Sequence, residues 1–153
     1  MTRLSEHFTL EEFIVSSTAD SLGLSNMPTP EHLENLKLTA AGFEKARSIL
    51  GNCAIVITSG YRNPKVNAAV GGVPNSAHAL GLAGDFRAAG FSALGAARKL
   101  RDAQARGEIE FDQLILETSR RIVHLSFDPK RKRNQVLTQA GGPGSPVQKG
   151  LHA

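Results

Sequence analysis

Between positions 76 and 85 the chain reads Ser76-Ala77-His78-Ala79-Leu80-Gly81-Leu82-Ala83-Gly84-Asp85, an imidazole and a carboxylate set among small residues. A second imidazole, His124, lies in the apolar run from Ile122 to Phe127. Neutral imidazole nitrogens and a carboxylate oxygen are ordinary Zn²⁺ ligands. His78, Asp85 and His124 can therefore fill three corners of a tetrahedral site and leave the fourth for water, as a hydrolytic zinc centre requires. Two neutral imidazoles and one carboxylate leave such a centre at +1, which acidifies a bound water toward a pKa of ~7. The same ion polarises a scissile carbonyl, so peptide hydrolysis is feasible. Arg62 is placed at the end of an apolar strand, where it can bind a substrate oxygen or steady an oxyanion, worth a few kcal/mol when such a donor is well aimed. Ser76 can hydrogen-bond a substrate backbone or its own loop.

Each of these residues has a plainer reading. A single histidine on an apolar strand is more often a satisfied structural group than a ligand. Asp85 can cap a turn, and Arg62 can pair with a surface carboxylate. Against the plain reading of Asp85 stands its place between Gly84 and Phe86 in an expected strand, where an unpartnered charge is costly and coordination removes the cost. His7, His32 and His152 lack a comparable setting and read as surface or capping residues. The lone Cys53 excludes an internal disulfide. Beside Ala54-Ile55-Val56-Ile57 it reads as a small buried hydrophobe rather than a ligand or nucleophile.

The pattern Ser76-x-His78-x-x-Gly81-x-Ala83-x-Asp85, preceded by Ser59-Gly60-Tyr61-Arg62 and followed by Val123-His124-Leu125-Ser126, resembles the zinc D-alanyl-D-alanine peptidase family. Leu4 to Leu10, Arg133 to Leu137 and Gly141-Gly142 resemble its phage and prophage endolysin branch. The resemblance implies the hedgehog/DD-peptidase fold, zinc as cofactor, His78, Asp85 and His124 as its ligands, and peptidoglycan stem peptides as substrate. Many members of that family carry an acidic residue three positions before the last histidine and a Trp two before it. Here Arg121 and Ile122 stand there. Glu117, at the end of the preceding strand, becomes the candidate general base, because relatives of the phage branch often show an acidic strand end. Its plain reading is a solvent-facing hairpin residue paired with Arg120 or Arg121, worth less than ~1 kcal/mol if exposed. Glu110 and Asp112 stand next in line.

The elements that must hold these groups follow from pattern and punctuation. With 153 residues and 41% hydrophobic content the chain suits one small domain, expected over residues 1–140, with 141–153 as a flexible tail rich in Gly and Pro. Thr9 and Glu12 form a capping-box pattern that opens a short helix. Pro30 opens a long helix with Leu33, Leu36, Leu38, Ala41, Phe43, Ala46 and Leu50 as its apolar stripe, closed by Gly51. Ala54–Thr58 reads as a buried strand and Asn63–Val70 as a brief helix. Ser92–Gly107 reads as a second long helix that separates two halves of a sheet. Phe111–Glu117 and Ile122–Phe127 make an antiparallel hairpin with a polar turn, and Asn134–Gln139 an edge strand. The expected class is α+β, with helices packed on a mainly antiparallel sheet.

Charge and composition narrow the function. The net charge of +4 favours anionic partners, and Lys130-Arg131-Lys132-Arg133 concentrates much of it. That run reads as a solvated turn or as attraction to an acidic cell wall. Specific nucleic-acid binding is not expected, since aromatics are 5% of the chain, Trp is absent and no reader motif is present. The N-terminus lacks a secretory signal, and no apolar run approaches the ~20 residues that span a bilayer. Synthesis in a bacterial host cytoplasm is expected, with action on the wall after release or from a virus particle. The leading reading is a zinc peptidase cutting peptidoglycan stem peptides, of the L-alanyl-D-glutamate endopeptidase or D,D-carboxypeptidase type, as an endolysin or virion lysin. A second is a weakly active or inactive zinc-fold component binding other virion proteins. A third is a zinc-dependent interaction module of the hedgehog-like kind.

Overall fold

Helix starts in this chain are set by hydroxyl and amide side chains placed just ahead of them. The computed structural model describes residues 2–142 and 144–153. In it Glu12 reaches back to accept from the Thr9 backbone N–H at 2.7 Å and opens α1 (Leu10–Ile14). Ser16 caps α2 (Ser17–Leu22), which ends on the left-handed Gly23. The sequence reading did not foresee α2, because Ala19 is its only buried residue and no apolar stripe marks it. Thr29 caps α3 (Pro30–Ile49), with Pro30 in the first turn, where a missing N–H costs nothing.

The buried face of α3 is Leu36, Thr39, Ala40, Phe43 and Ala46. Leu38 is 48% exposed and Ala41 is also exposed, which corrects the expected stripe. Leu38 lies two residues from Leu36, about 200° around the helix, so both cannot face the core. Thr39 takes the buried place and donates its hydroxyl to Gly81 O at 2.7 Å.

The remaining elements are β1 (Ile55–Ser59), α4 (Pro64–Ala69), α5 (Ala77–Leu80), β2 (Ala83–Ala88), α6 (Ala93–Ala105), β3 (Gln113–Glu117), β4 (Ile122–Ser126), β5 (Gln135–Gln139) and β6 (Val147–Lys149). The strands form one sheet in the order β1-β2-β4-β3-β5-β6. Every pairing is antiparallel except β3 with β5. The fold is α+β on a mainly antiparallel sheet, as the sequence indicated. Three details differ from expectation. α6 does not divide the sheet but packs across β2, β3 and β4. β5 is interior, joined in parallel to β3, and β6 is the edge. Within 141–153, where no element was expected, β6 pairs with β5, and Thr138 fastens the segment by donating to Gly150 O at 2.8 Å and accepting from His152 N–H at 3.0 Å.

An aromatic cluster forms the core between α3 and the sheet. The Phe43 ring lies 5.4 Å from Phe86, 5.7 Å from Phe127 and 5.9 Å from both Phe8 and Phe13. Two glycines let backbone approach it: a Cβ on Gly84 would stand 3.0 Å from the Phe43 ring, and one on Gly60 would stand 2.5 Å from Phe13 O. Side chains of a strand alternate between faces. With Gly84 and Phe86 turned to the aromatic cluster, Asp85 is turned to the other face.

Candidate metal centre

That other face collects the chemistry. Asp85 on β2 pairs in register with His124 on β4 and, across a bulge, with Ser59 on β1. Asp85 and His124 therefore meet side by side as a cross-strand pair. His78 arrives from α5, a four-residue helix that Ser76 caps, its Oγ accepting from Ala79 N–H at 3.2 Å, and that ends on left-handed Gly81. The chain thus turns immediately after His78 and returns as β2.

Asp85 Oδ1 lies 3.2 Å from His78 Nε2 and 2.9 Å from His124 Nδ1. The ligand atoms of the three residues all lie within 4.8 Å of one another. An ion with bonds of ~2.1 Å sets tetrahedral ligands about 3.4 Å apart, close to these separations. His78 Nδ1 is 2.7 Å from Gly60 O. A carbonyl only accepts, so Nδ1 carries the proton, and the Nε2 lone pair points at Asp85, the outer-shell arrangement that orients a metal-ligating imidazole. Asp85 and His78 are buried, and the His124 side chain is 12% exposed, so the cluster opens to solvent on the His124 side. Burial pushes the Asp85 carboxyl pKa upward, but His78 and His124 outweigh it and hold the carboxyl well below the usual carboxylate range. A buried, ionised carboxylate between two imidazoles suits a divalent cation.

Two arginines and a second carboxylate surround this cluster. Glu117 ends β3 two residues beyond Ile115, the register partner of His124, and so shares the face of His124. It is buried, not solvent-facing as its plain reading held, yet it does accept a hydrogen bond from Arg120 Nη2. Arg120 Nη2 also lies 3.7 Å from Asp85 Oδ2. Hydrogen bonding to Glu117 raises the Arg120 pKa against the opposing pull of its own burial. Arg62 donates its backbone N–H to His78 O at 3.1 Å. Its guanidinium lies within electrostatic range of Asp85, Arg120 and Glu117, and its Nε is buried with no hydrogen-bond partner among the described residues. Burial lowers the Arg62 pKa, with Arg120 adding to the effect and the two carboxylates opposing it.

The structure thus brings His78, Asp85, His124, Arg62 and Glu117 together. Ser76 lies beside them, with its hydroxyl committed to capping α5 and 3.4 Å from Asn67 Oδ1. Asp112 is held by Arg133 at 2.6 and 3.0 Å, and Glu110 lies 3.5 Å from Lys132, so these two carboxylates belong to the loop before β5. His7 bonds Glu44, His32 bonds the Tyr61 hydroxyl, and His152 bonds Lys149 O. Sequence reasoning missed two contributors. The Gly60 carbonyl leaves no side-chain signal, and the approach of Arg120 to Asp85, beyond its expected pairing with Glu117, needs the turn geometry. Among the described residues no helix is long and apolar enough to cross a membrane. A family model described as Peptidase M15 matches residues 6–126, a span that holds every residue of this site and stops before β5. No curated protein matches the chain.

Proposed function

Because this chain belongs to the peptidase M15 family, we propose that it is a zinc metallopeptidase that hydrolyses an amide bond in peptidoglycan stem peptides, acting as a phage-type lysin from within a lysing host or from a virus particle. The observation that carries this reading is the cluster of His78, Asp85 and His124, whose donor atoms converge at metal-binding separations while Gly60 O fixes the His78 tautomer. Zn²⁺ held there supplies Lewis-acid activation of a water and of the scissile carbonyl.

The chain's own side chains do the rest. Glu117 accepts the proton of the attacking water as the new C–O bond forms, then returns it to the amide nitrogen as the C–N bond breaks. Arg62 is half-buried with its Nε enclosed, and its terminal guanidinium N–H groups bind a substrate oxygen where charge accumulates during attack. With the histidines neutral, Arg62 and Arg120 cancel Asp85 and Glu117, so a bound divalent ion leaves the site net positive. That polarity favours stem peptides, which carry free carboxylates. His124 is the least enclosed of the three ligands, so substrate approaches from its side.

One observation favours a second reading, a weakly active protein with a binding or structural role in a virus particle: Arg120 already occupies the Glu117 carboxylate. Mass spectrometry of purified peptidoglycan after incubation with the zinc-loaded protein separates the two, with His124→Ala as control. New fragments absent from the control support the peptidase, and their masses identify the bond. Intact stem peptides across several wall chemotypes, at confirmed zinc occupancy, would move the assignment to the binding role.

A further inference from the structure

Arg120 has no part in the hydrolytic steps above, yet it touches both buried carboxylates of the site. Its side chain is 43% exposed, and its Nη2 contacts Glu117 Oε1 and lies 3.7 Å from Asp85 Oδ2. The turn that carries it is anchored independently. Arg120 O accepts from Arg87 Nη2 at 3.0 Å, and the hydroxyls of Thr118 and Ser119 donate to Ala140 O at 3.5 Å and Gly141 O at 3.0 Å. Among the described residues only the two carboxylates hold the guanidinium, so it can swing on a fixed backbone.

Two consequences follow from this placement. Arg120 donates to one oxygen of Glu117, Oε1, so its positive charge sits beside the candidate base. Arg62 and Arg120, like charges within electrostatic range of each other, converge on the same two carboxylates. Two guanidiniums beside one site offer a second carboxylate the paired N–H groups through which arginine binds it.

We propose that Arg120 is a specificity-determining residue: with Arg62 it clamps a free substrate carboxylate next to the scissile amide, and in closing on that carboxylate it releases Glu117. This inference rests on the roles given to Glu117 and Arg62 under Proposed function. No covalent bond changes in the exchange. Arg120 trades one carboxylate for another, so its charge stays paired. Amidation of the substrate carboxylate removes the anchor that Arg120 supplies.

The test uses one stem-type peptide in two forms, with that carboxylate free or converted to the primary amide, and the full chain as wild type, Arg120→Gln and Arg120→Lys. Turnover is measured on metal-loaded protein, and binding by titration calorimetry on metal-free protein, which cannot cleave the peptide. The wild type is expected to prefer the free carboxylate by roughly 10- to 100-fold in kcat/KM and in Kd, the range of a charged hydrogen-bonded pair. Arg120→Gln should bring that ratio near unity through a higher KM for the free peptide, while kcat for the amide holds or rises. Arg120→Lys should fall between. A wild-type preference kept intact by Arg120→Gln, or none in the wild type, overturns the clamp even if hydrolysis is confirmed. An Arg120-dependent binding preference with neither peptide cleaved would sink the hydrolase reading and support the clamp.

Discussion

Zinc should stabilise this fold through three side chains and no others. The donor atoms of His78, Asp85 and His124 are already gathered within 4.8 Å in the folded chain. In an unfolded chain they are scattered, so the ion binds the native state selectively. At free zinc one hundred times the dissociation constant, that selectivity is worth about 2.7 kcal/mol. For a domain of this size each kcal/mol moves Tm by roughly 2–4 °C, so the zinc-loaded protein should melt roughly 5–11 °C above the chelator-treated protein. His124→Ala removes a ligand from the open side of the cluster, where its loss disturbs the aromatic core least. It should abolish most of the zinc-dependent rise and lower the chelator-treated Tm by less than Asp85→Ala does, because Asp85 keeps His78 as a partner. Asp85→Ala should abolish the rise too, and also shift the metal-free baseline, because His78 and His124 lose the carboxylate between them. Differential scanning calorimetry with and without chelator, paired with elemental analysis for bound zinc, reads both effects. A full zinc-dependent rise and stoichiometric metal in His124→Ala would refute the ligand set.

Glu117→Gln should keep zinc and the fold but lower turnover by about 10²–10⁴-fold, since only proton transfer is lost; residual activity at the wild-type level would move the base elsewhere. Phe43→Ala should cost about 3–5 kcal/mol in urea unfolding, because Phe43 is fully buried among four rings and underlies Gly84 beside the metal centre; a loss under ~1 kcal/mol would mean the cluster repacks freely. Glu44 on α3 accepts from the Ser5 hydroxyl and from the His7 backbone and ring, and these bonds lower its pKa despite the upward pull of burial. A depressed carboxylate stabilises the fold above its unfolded pKa, near ~4.3, and loses that contribution as pH falls through the folded value. The stability gap between wild type and Glu44→Gln should accordingly be full at neutral pH and shrink below about pH 4; a pH-independent gap would show that the charge contributes nothing.

Much of the fold was legible because its signals are local. Thr9 with Glu12, Pro30, the β-branched run at Ile55–Thr58 and the hairpin flanking Thr118–Arg121 each announce an element within a few residues. Two kinds of feature were not legible. α2 buries one side chain and has no periodic stripe, so only its caps mark it. The stripe on α3 was misread at Leu38 and Ala41 because hydrophobic identity does not say which side of a helix meets the sheet, and Thr39 fills the buried place by finding Gly81 O.

The sequence by itself determined the chemistry available to this protein. Two imidazoles and a carboxylate are zinc-ligand types, and the motif around them, by its resemblance to a zinc peptidase family, singled them out from plainer structural roles. Tertiary structure alone decided how that chemistry is governed. Register pairs Asp85 with His124, a backbone carbonyl at Gly60 selects the His78 tautomer, and a turn brings Arg120 onto Glu117 and Asp85. Residue type and motif spacing are written along the chain and are readable there. Orientation and ion pairing depend on distances between chain segments that only folding brings together.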